Sequence, residues 1–408
     1  MLSARSATTV RATLPAVRGA VVEIAGRFYE TMFAEHPGLL NLFNRGSRAS
    51  GEQRKALAGA VVAYAEHLTG TGDVPMRSVV SRIAHKHVSL GIKPEQYTVV
   101  GRHLIAAVKE VLGDAVTPEV ASAWDEVYWL FAVRLIAAET RAYQRDGIDP
   151  HHVSAPWKVV GRTEEAEDAV SLLLAPTFGG VPAHRPGQYV TVTADLGGGV
   201  VQARQYTLSR APGHDTLRIT VRRVRGRGDA PDGTVSTFLT RDVRVGDLVG
   251  VSRPAGDTVL DTGSGPLVLV SAGIGITPIA ALLEHVAAVR PERPVIAVHA
   301  EREPGRHALR EHVEEHGARL ESFRSTVCYQ RGDLPPGAVG GRVVPDDIPV
   351  PPDATAYLCG PVPFMRDVRT SLLRRGMPAV RIHFEVFGSD LWTTGAEQLP
   401  DPALAAAD

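Results

Sequence analysis

Apolar residues recur every three to four positions through the first third of the chain. Met76, Val80, Ile83, His87 and Leu90 fall on one helical stripe, and Val120, Trp124, Val127, Phe131 and Leu135 on another. Residues 1–147 are therefore expected to form an all-α domain. The segment Asp146-Gly147-Ile148-Asp149-Pro150 breaks the last long helix and predicts a linker. Beyond it the period changes to two. Residues 189–193, 204–208 and 217–221 alternate, with turns such as Leu196-Gly197-Gly198-Gly199 between them, which predicts a small antiparallel β-barrel over residues 152–259. From about residue 262 the pattern changes again. The unbroken apolar run Leu267-Val268-Leu269-Val270 leads into a helix from Pro278, then Val295-Ile296-Ala297-Val298, a charged helix and Ala356-Tyr357-Leu358-Cys359. Strands alternating with helices predict an α/β domain on an open, mostly parallel sheet over residues 262–393. The Ala- and Pro-rich stretch 394–408 is expected to be a loosely ordered tail.

Glycine and proline follow the same division, with 12 of the 40 Gly and 6 of the 29 Pro in residues 1–150. A chain of 408 residues, at about 150 per domain, is long enough for several separate cores. Its 44% apolar and 22% charged content excludes a disordered chain. Lys and Arg number 44 against 45 Asp and Glu, so no global positive field exists for counterion-release binding, and no nucleic-acid partner is expected. Cys328 and Cys359 are too few for a disulfide framework, which fits a reducing compartment. Arg5, Arg11 and Arg18 interrupt any apolar leader, so a cytoplasmic location is expected, as is a monomer. The stretch from Leu267 to Leu283 carries no charge, yet Gly273, Gly275 and Pro278 sit in its middle. It reads as a buried strand running into a packed helix rather than a stable membrane insertion.

Candidate chemistry begins at His85-Lys86-His87. Residues two apart on a helix point about 200° apart, so only one of these histidines faces the interior. His87 shares the stripe of Val80, Ile83 and Leu90, whereas His85 joins Ser78, Ser81, Arg82 and Ser89. An inward histidine is either a hydrogen-bonded core residue or a metal ligand. Tyr97 and Glu139 are candidate partners for its imidazole. Glu139 continues the row of Phe131 and Leu135, where a carboxylate needs a partner. That partner is either the imidazole, whose tautomer and basicity it would fix, or Arg134 or Arg141.

In the alternating region, Arg204-Gln205-Tyr206-Thr207 places Arg204 and Tyr206 on one strand face and Thr207 on the other. A guanidinium beside a phenol suits a dinucleotide flavin, pairing with phosphate and stacking on the flat ring, although the four residues taken alone read first as an exposed cross-strand pair. Arg185-Pro186-Gly187-Gln188-Tyr189 precedes it. The segment Gly233-Thr234-Val235-Ser236-Thr237-Phe238-Leu239 follows as a turn into a helix start whose amides can hold a pyrophosphate. In the third region, Ser271-Ala272-Gly273-Ile274-Gly275-Ile276-Thr277-Pro278 joins strand to helix. Its glycines let backbone approach a phosphate, and it ends in Pro rather than the third Gly of the dinucleotide fingerprint. Cys359-Gly360-Pro361 ends a later strand, and taken alone Cys359 also reads as a small buried hydrophobe.

Together these motifs resemble the flavohaemoglobin family over nearly the full chain. Phe28-Tyr29-Glu30, Leu42-Phe43-Asn44, Gln53 with Leu57, Lys86-His87 and Lys93-Pro94-Glu95-Gln96-Tyr97 fall where that family has its haem-pocket motifs. The resemblance implies that His87 is the proximal iron ligand, that Tyr29, Gln53 and Leu57 line the distal side and that Phe43 packs on the porphyrin. It implies a proximal charge-relay pair in Tyr97 and Glu139, beside Lys86. The barrel resembles the FAD domain of the ferredoxin-reductase type, with Tyr189, Arg204, Gln205, Tyr206, Thr207, Val235 and Ser236 against FAD. Residues Gly273, Ile274, Gly275, Ile276, Thr277 and Pro278, with Cys359, Gly360 and Pro361, resemble the NADH or NADPH site of the same reductases. His383-Phe384-Glu385-Val386-Phe387-Gly388 resembles the family's last strand, which implies that Phe387, flanked by Val386, Gly388 and Ser389, covers the flavin and that Glu385 lies between flavin and haem. The implied activity is nitric oxide dioxygenase: NAD(P)H-dependent oxidation of NO with O2 to nitrate through FAD and haem b, for NO detoxification. The same residues would serve a general haem reductase of hydroperoxide or nitrite, and an oxygen- or redox-sensing globin is a third reading.

Overall fold

The computed structural model describes residues 2–42, 52–72, 75–226 and 231–388, with backbone alone over 52–56. The chain separates into two compact units, one spanning Met1–Val153 and the other Ser154–Phe387. The first is built from α1 (Ala4–Gly19), α2 (Val21–Glu35), α3 (Glu52–Thr69), α4 (Met76–Leu90), α5 (Pro94–Leu112) and α6 (Pro118–Asp146). Its core takes one face from each helix. Val10, Phe28, Met32, Val79 and Val127 are fully enclosed, each worth about 1.5–3 kcal/mol relative to exposure.

Local signals fix where these helices start and stop. Gly91 ends α4 in the left-handed conformation, φ +73°, and the Ile92 amide closes the turn by donating to the His87 carbonyl at 3.0 Å. Two residues later Pro94 opens α5, with the Gln96 side chain accepting from the Lys93 amide at 2.8 Å. The Thr117 hydroxyl caps α6 by accepting from the Val120 amide at 3.3 Å. Gly147, φ +58°, ends that helix in the segment expected to break it.

The second unit holds two six-stranded sheets. In the first, β1 (Ser154–Ala166), β2 (Ala169–Pro176), β3 (Tyr189–Asp195), β4 (Val201–Thr207), β5 (Leu217–Arg222) and β6 (Leu248–Ser252) pair antiparallel in the order β4-β3-β6-β1-β2-β5. A bridge between Leu208 and Ile219 joins the two edges and closes the sheet into a barrel. Between β5 and β6 lies α7 (Thr234–Thr237), which widens into a turn over Phe238–Asp242.

In the second sheet, β7 (Leu267–Ala272), β8 (Val295–Glu301), β9 (Phe323–Tyr329), β10 (Val339–Gly340), β11 (Thr355–Cys359) and β12 (Ile382–Glu385) run parallel in the order β10-β9-β8-β7-β11-β12. Every residue of β7 is buried, as its unbroken apolar run requires of a central parallel strand. The helices α8 (Ile276–Val289), α9 (Arg310–Gly317) and α10 (Val362–Arg374) supply the crossovers. The chain leaves β7 toward β8 and β9 on one side, then returns to β11 and β12 on the other. The carboxyl ends of β7 and β11 therefore flank the topological switch point, where open α/β sheets receive their ligands. Among the described residues no helix is long and apolar enough to cross a membrane.

Candidate functional site

In the helical unit, α4, α5 and α6 bring three side chains to one point. Glu139 Oε1 lies 2.7 Å from His87 Nδ1, and Tyr97 Oη lies 2.9 Å from the same nitrogen. Tyr97 donates to Glu139 Oε1 at 2.5 Å. The phenol has one proton and spends it on the carboxylate, so toward the imidazole both Tyr97 and Glu139 act as acceptors. That arrangement puts the ring proton on Nδ1 and leaves the lone pair on Nε2. Glu139 is 2% exposed, and the two donors are what make a carboxylate tolerable there. Burial, then Glu139, push the Tyr97 phenol far above its ordinary value. It stays protonated as the donor.

Helix packing supplies the precision. Tyr128 donates to the Tyr97 carbonyl at 2.5 Å, and its ring fills the space beside Gly101, where an added Cβ would stand 2.4 Å from Tyr128 Cε1. Sequence reasoning missed this pair, although Tyr128 lies beside Val127 on a helix whose inward row was legible. Lys86 and the His87 ring are half-buried. On α2, Tyr29 is buried, stacked on Phe33 with ring centroids 5.5 Å apart and edge-on to Phe28 at 4.7 Å. Leu57 is half-buried on α3. Phe43, the Gln53 side chain and Ser389 lie outside the described residues.

In the barrel, β4 carries the expected Arg204-Gln205-Tyr206-Thr207 run, with Gln205 exposed, Arg204 and Tyr206 half-buried and Thr207 buried. Arg204 donates through Nη1 to the Ala203 carbonyl at 2.7 Å. Burial raises the Tyr206 phenol while the neighbouring Arg204 acts against that rise. Tyr189, opposite Thr207 in register, is buried with its ring against Gly256. At α7, the Ser236 hydroxyl donates to the Gly233 carbonyl at 2.9 Å and accepts from the Val224 amide at 3.0 Å. Ser236 thus closes the loop that Val235 anchors in the barrel core.

The parallel sheet assembles the third group. Register places Ser271, His299, Cys359 and Glu385 level with one another at the carboxyl edge. Gly273, φ +58°, opens the turn Gly273–Gly275, and α8 starts at Ile276, two residues before the expected Pro278. An added Cβ at Gly275 would stand 2.3 Å from the Cys359 carbonyl oxygen and 2.8 Å from the Gly360 amide. That glycine is therefore required by the contact between the two loops, a reason the motif alone does not disclose. Burial, then Glu385, hold the Cys359 thiol well above its ordinary value, so it is a protonated thiol. The last strand ends at Glu385, so Val386, Phe387 and Gly388 lie beyond it, with Phe387 exposed.

Arg222 was not singled out by sequence, since it merely ends an alternating strand. Its Nη1 pairs with Glu301 at 2.8 Å and its Nε with Asp168 at 3.2 Å, and it lies over Gly273, whose added Cβ would stand 3.2 Å from it. Barrel and glycine turn are thereby tied together.

Residues 26–135 match the globin family and residues 269–370 the oxidoreductase NAD-binding domain. A flavohemoprotein of Chromobacterium violaceum is 41% identical over 95% of this chain and 99% of its own length. One from Bacillus anthracis is 39% identical over 95% and 98%. Among solved structures, the flavohemoglobin of Malassezia yamatoensis with bound FAD and heme superposes with a TM-score of 0.84, at 32% identity over 95% of this chain and all of that one. The FAD/NAD binding domain of the nitric oxide dioxygenase of Vibrio cholerae gives 0.55, at 32% identity over 58% of this chain and all of that one.

Proposed function

Because this chain belongs to the flavohaemoprotein family, we propose that it is an NAD(P)H-dependent nitric oxide dioxygenase holding haem b and FAD. The observation that carries the reading is the His87 cluster. Glu139 and Tyr97 occupy Nδ1 and leave Nε2 as the donor atom, the arrangement that an iron-ligating histidine would need. When bound, haem supplies the iron at which O2 oxidises NO to nitrate, FAD the conversion of a two-electron hydride into single electrons, and NADH or NADPH the hydride.

The chain's own residues do the rest. His87 would hold the iron, and the buried Glu139 carboxylate makes its ring a stronger electron donor by drawing on the Nδ1 proton. Tyr29 would offer its hydroxyl on the distal side. Arg204 would pair with a flavin phosphate, Tyr206 stack on the flat ring and Thr207 bond beside it. The turn at Gly273–Gly275 and the amides of Ile276 and Thr277 at the start of α8 would receive a pyrophosphate. Cys359, kept protonated, would position a nicotinamide without attacking it. In this reading residues 1–147 hold the haem, 152–259 the FAD and 262–393 the nicotinamide nucleotide, in a cytoplasmic monomer.

Anaerobic addition of NADH and then NADPH, followed by absorbance at flavin and haem bands, tests the electron path. Aerobic addition of NO then tests the reaction. Stoichiometric nitrate at a rate above that with hydroperoxide or nitrite is expected. Faster turnover of either of those substrates would instead select the general haem-reductase reading.

A further inference from the structure

We propose that Glu284, His312 and His316, with His214 beside them, form a binding site for a divalent transition-metal ion of the zinc type. Glu284 projects from α8, and His312 and His316 sit one turn apart on α9, where a spacing of four puts both on one face. One ligand atom from each of the three lies within 4.8 Å of the other two. Glu284 Oε2 and His312 Nε2 are 3.4 Å apart, the separation of about 3.4 Å expected for two ligands around a tetrahedral ion with bonds of about 2.0–2.1 Å. His214, from the loop between β4 and β5, brings its Nε2 to 2.8 Å from Glu284 Oε1. Two imidazoles and a carboxylate, the latter held by the His214 ring, form a nitrogen-rich set that suits zinc and its neighbours rather than magnesium or calcium.

A further observation points to a ligand. His316 is 8% exposed, and its Nδ1 is buried with no hydrogen-bond partner among the described residues, a cost that coordination would remove.

Two arginines oppose a cation. Arg218 Nη2 lies 3.3 Å from His312 Nε2, and Arg210 Nε lies 4.0 Å from Glu284. Binding therefore requires Arg218 to draw back from His312, and the nearby positive charge weakens the site. The ligands come from two helices of the parallel-sheet region, one of which begins at the glycine turn, and His214 of the barrel loop holds the Glu284 carboxylate. An ion held here would clamp barrel to sheet at the back of that helix.

The test is equilibrium dialysis of the chelator-treated full-length holoprotein against Zn2+ alone, with metal content read by mass spectrometry. The parent is expected to hold one more zinc per chain than a His312→Gln, His316→Gln double variant, and each single variant to bind at least ten-fold more weakly. His103→Gln, which alters the separate Glu35, His36 and His103 cluster on the helical unit, should keep that zinc. Arg218→Gln leaves all three ligands in place and should bind at least ten-fold more tightly, an arm that stands even if the double variant does not fold. Equal zinc in the parent and a folded double variant, or unchanged affinity in Arg218→Gln, overturns the proposal.

Discussion

Gly275 and Cys359 meet so closely that a single added carbon would stand 2.3 Å from the Cys359 carbonyl oxygen. Two loops at the carboxyl ends of neighbouring strands thus share one boundary, and backbone rather than a flexible side chain lies on the far side of it. Gly275→Ala must push one loop from the other by roughly 1 Å, and a misplacement of that size costs on the order of 100-fold where reacting groups must align. We expect NADH and NADPH to reduce the flavin of Gly275→Ala about 100-fold more slowly, with FAD content unchanged because Arg204, Tyr206 and Ser236 lie elsewhere. Stopped-flow absorbance at the flavin band measures this. Reduction at the parent rate would show that the loop contact does not position the nicotinamide.

The inward face of α4 was legible because a lone polar residue on an apolar stripe has few explanations, and the same argument found Glu139. The order of the modules was legible because turn chemistry and hydrophobic period change together near residues 150 and 262. What stayed hidden depends on partners far away in sequence. Strand β1 alternates only weakly, with Trp157 and Val159 buried while its second half is half-buried or exposed, so its thirteen residues form a strand through pairing with β2 and β6. The pairing of Arg222 with Asp168 and Glu301 joins three segments that no local pattern connects. The reason for Gly275 is likewise tertiary: a glycine motif predicts close approach, but not that the approaching group is the chain itself.

His87→Ala should lose haem while retaining FAD, because ligand and flavin motifs lie in separate units, and His85→Ala should lose neither. Glu139→Gln keeps the shape of the cluster and replaces a charged acceptor by a neutral one. Replacing such an outer partner costs about 10- to 100-fold in affinity or activity. We expect a haem that is retained, a weaker iron–histidine stretch by resonance Raman and slower turnover by about that factor. An unchanged stretching frequency in Glu139→Gln would show that the carboxylate does not tune the ligand.

Tyr29 is buried and braced by Phe28 and Phe33, so Tyr29→Phe removes one hydroxyl with little disturbance of packing. A hydrogen bond from that hydroxyl to a polarised ligand is worth about 1–3 kcal/mol. Its loss should speed O2 release by roughly 5- to 100-fold, read by flash photolysis of the ferrous protein. Release at the parent rate would place the hydroxyl away from the ligand.

The stacked pair His299 and His307, with ring centroids 4.3 Å apart, should make the second unit sensitive to acid. His299 shares a hydrogen bond with the Ser271 hydroxyl at 2.9 Å and His307 with the Tyr329 hydroxyl at 2.7 Å, and both rings are buried. Burial, then Arg310, push His307 from 6.5 down to about 4, and burial, then His307, lower His299 further. Below pH 6.5 the unfolded chain takes up a proton that folded His307 refuses, so the unfolded state binds more protons and stability rises with pH. The stabilisation is complete above 6.5 and declines as pH falls toward about 4. At pH 5 the loss through His307 alone is about 2 kcal/mol. Flavin release on heating, followed by fluorescence, should therefore occur at a clearly lower temperature at pH 5 than at pH 7. In His307→Gln, which cannot titrate, this gap should shrink by the equivalent of about 2 kcal/mol. A variant whose release temperature falls as steeply between pH 7 and pH 5 as the parent's would assign the acid sensitivity to other groups.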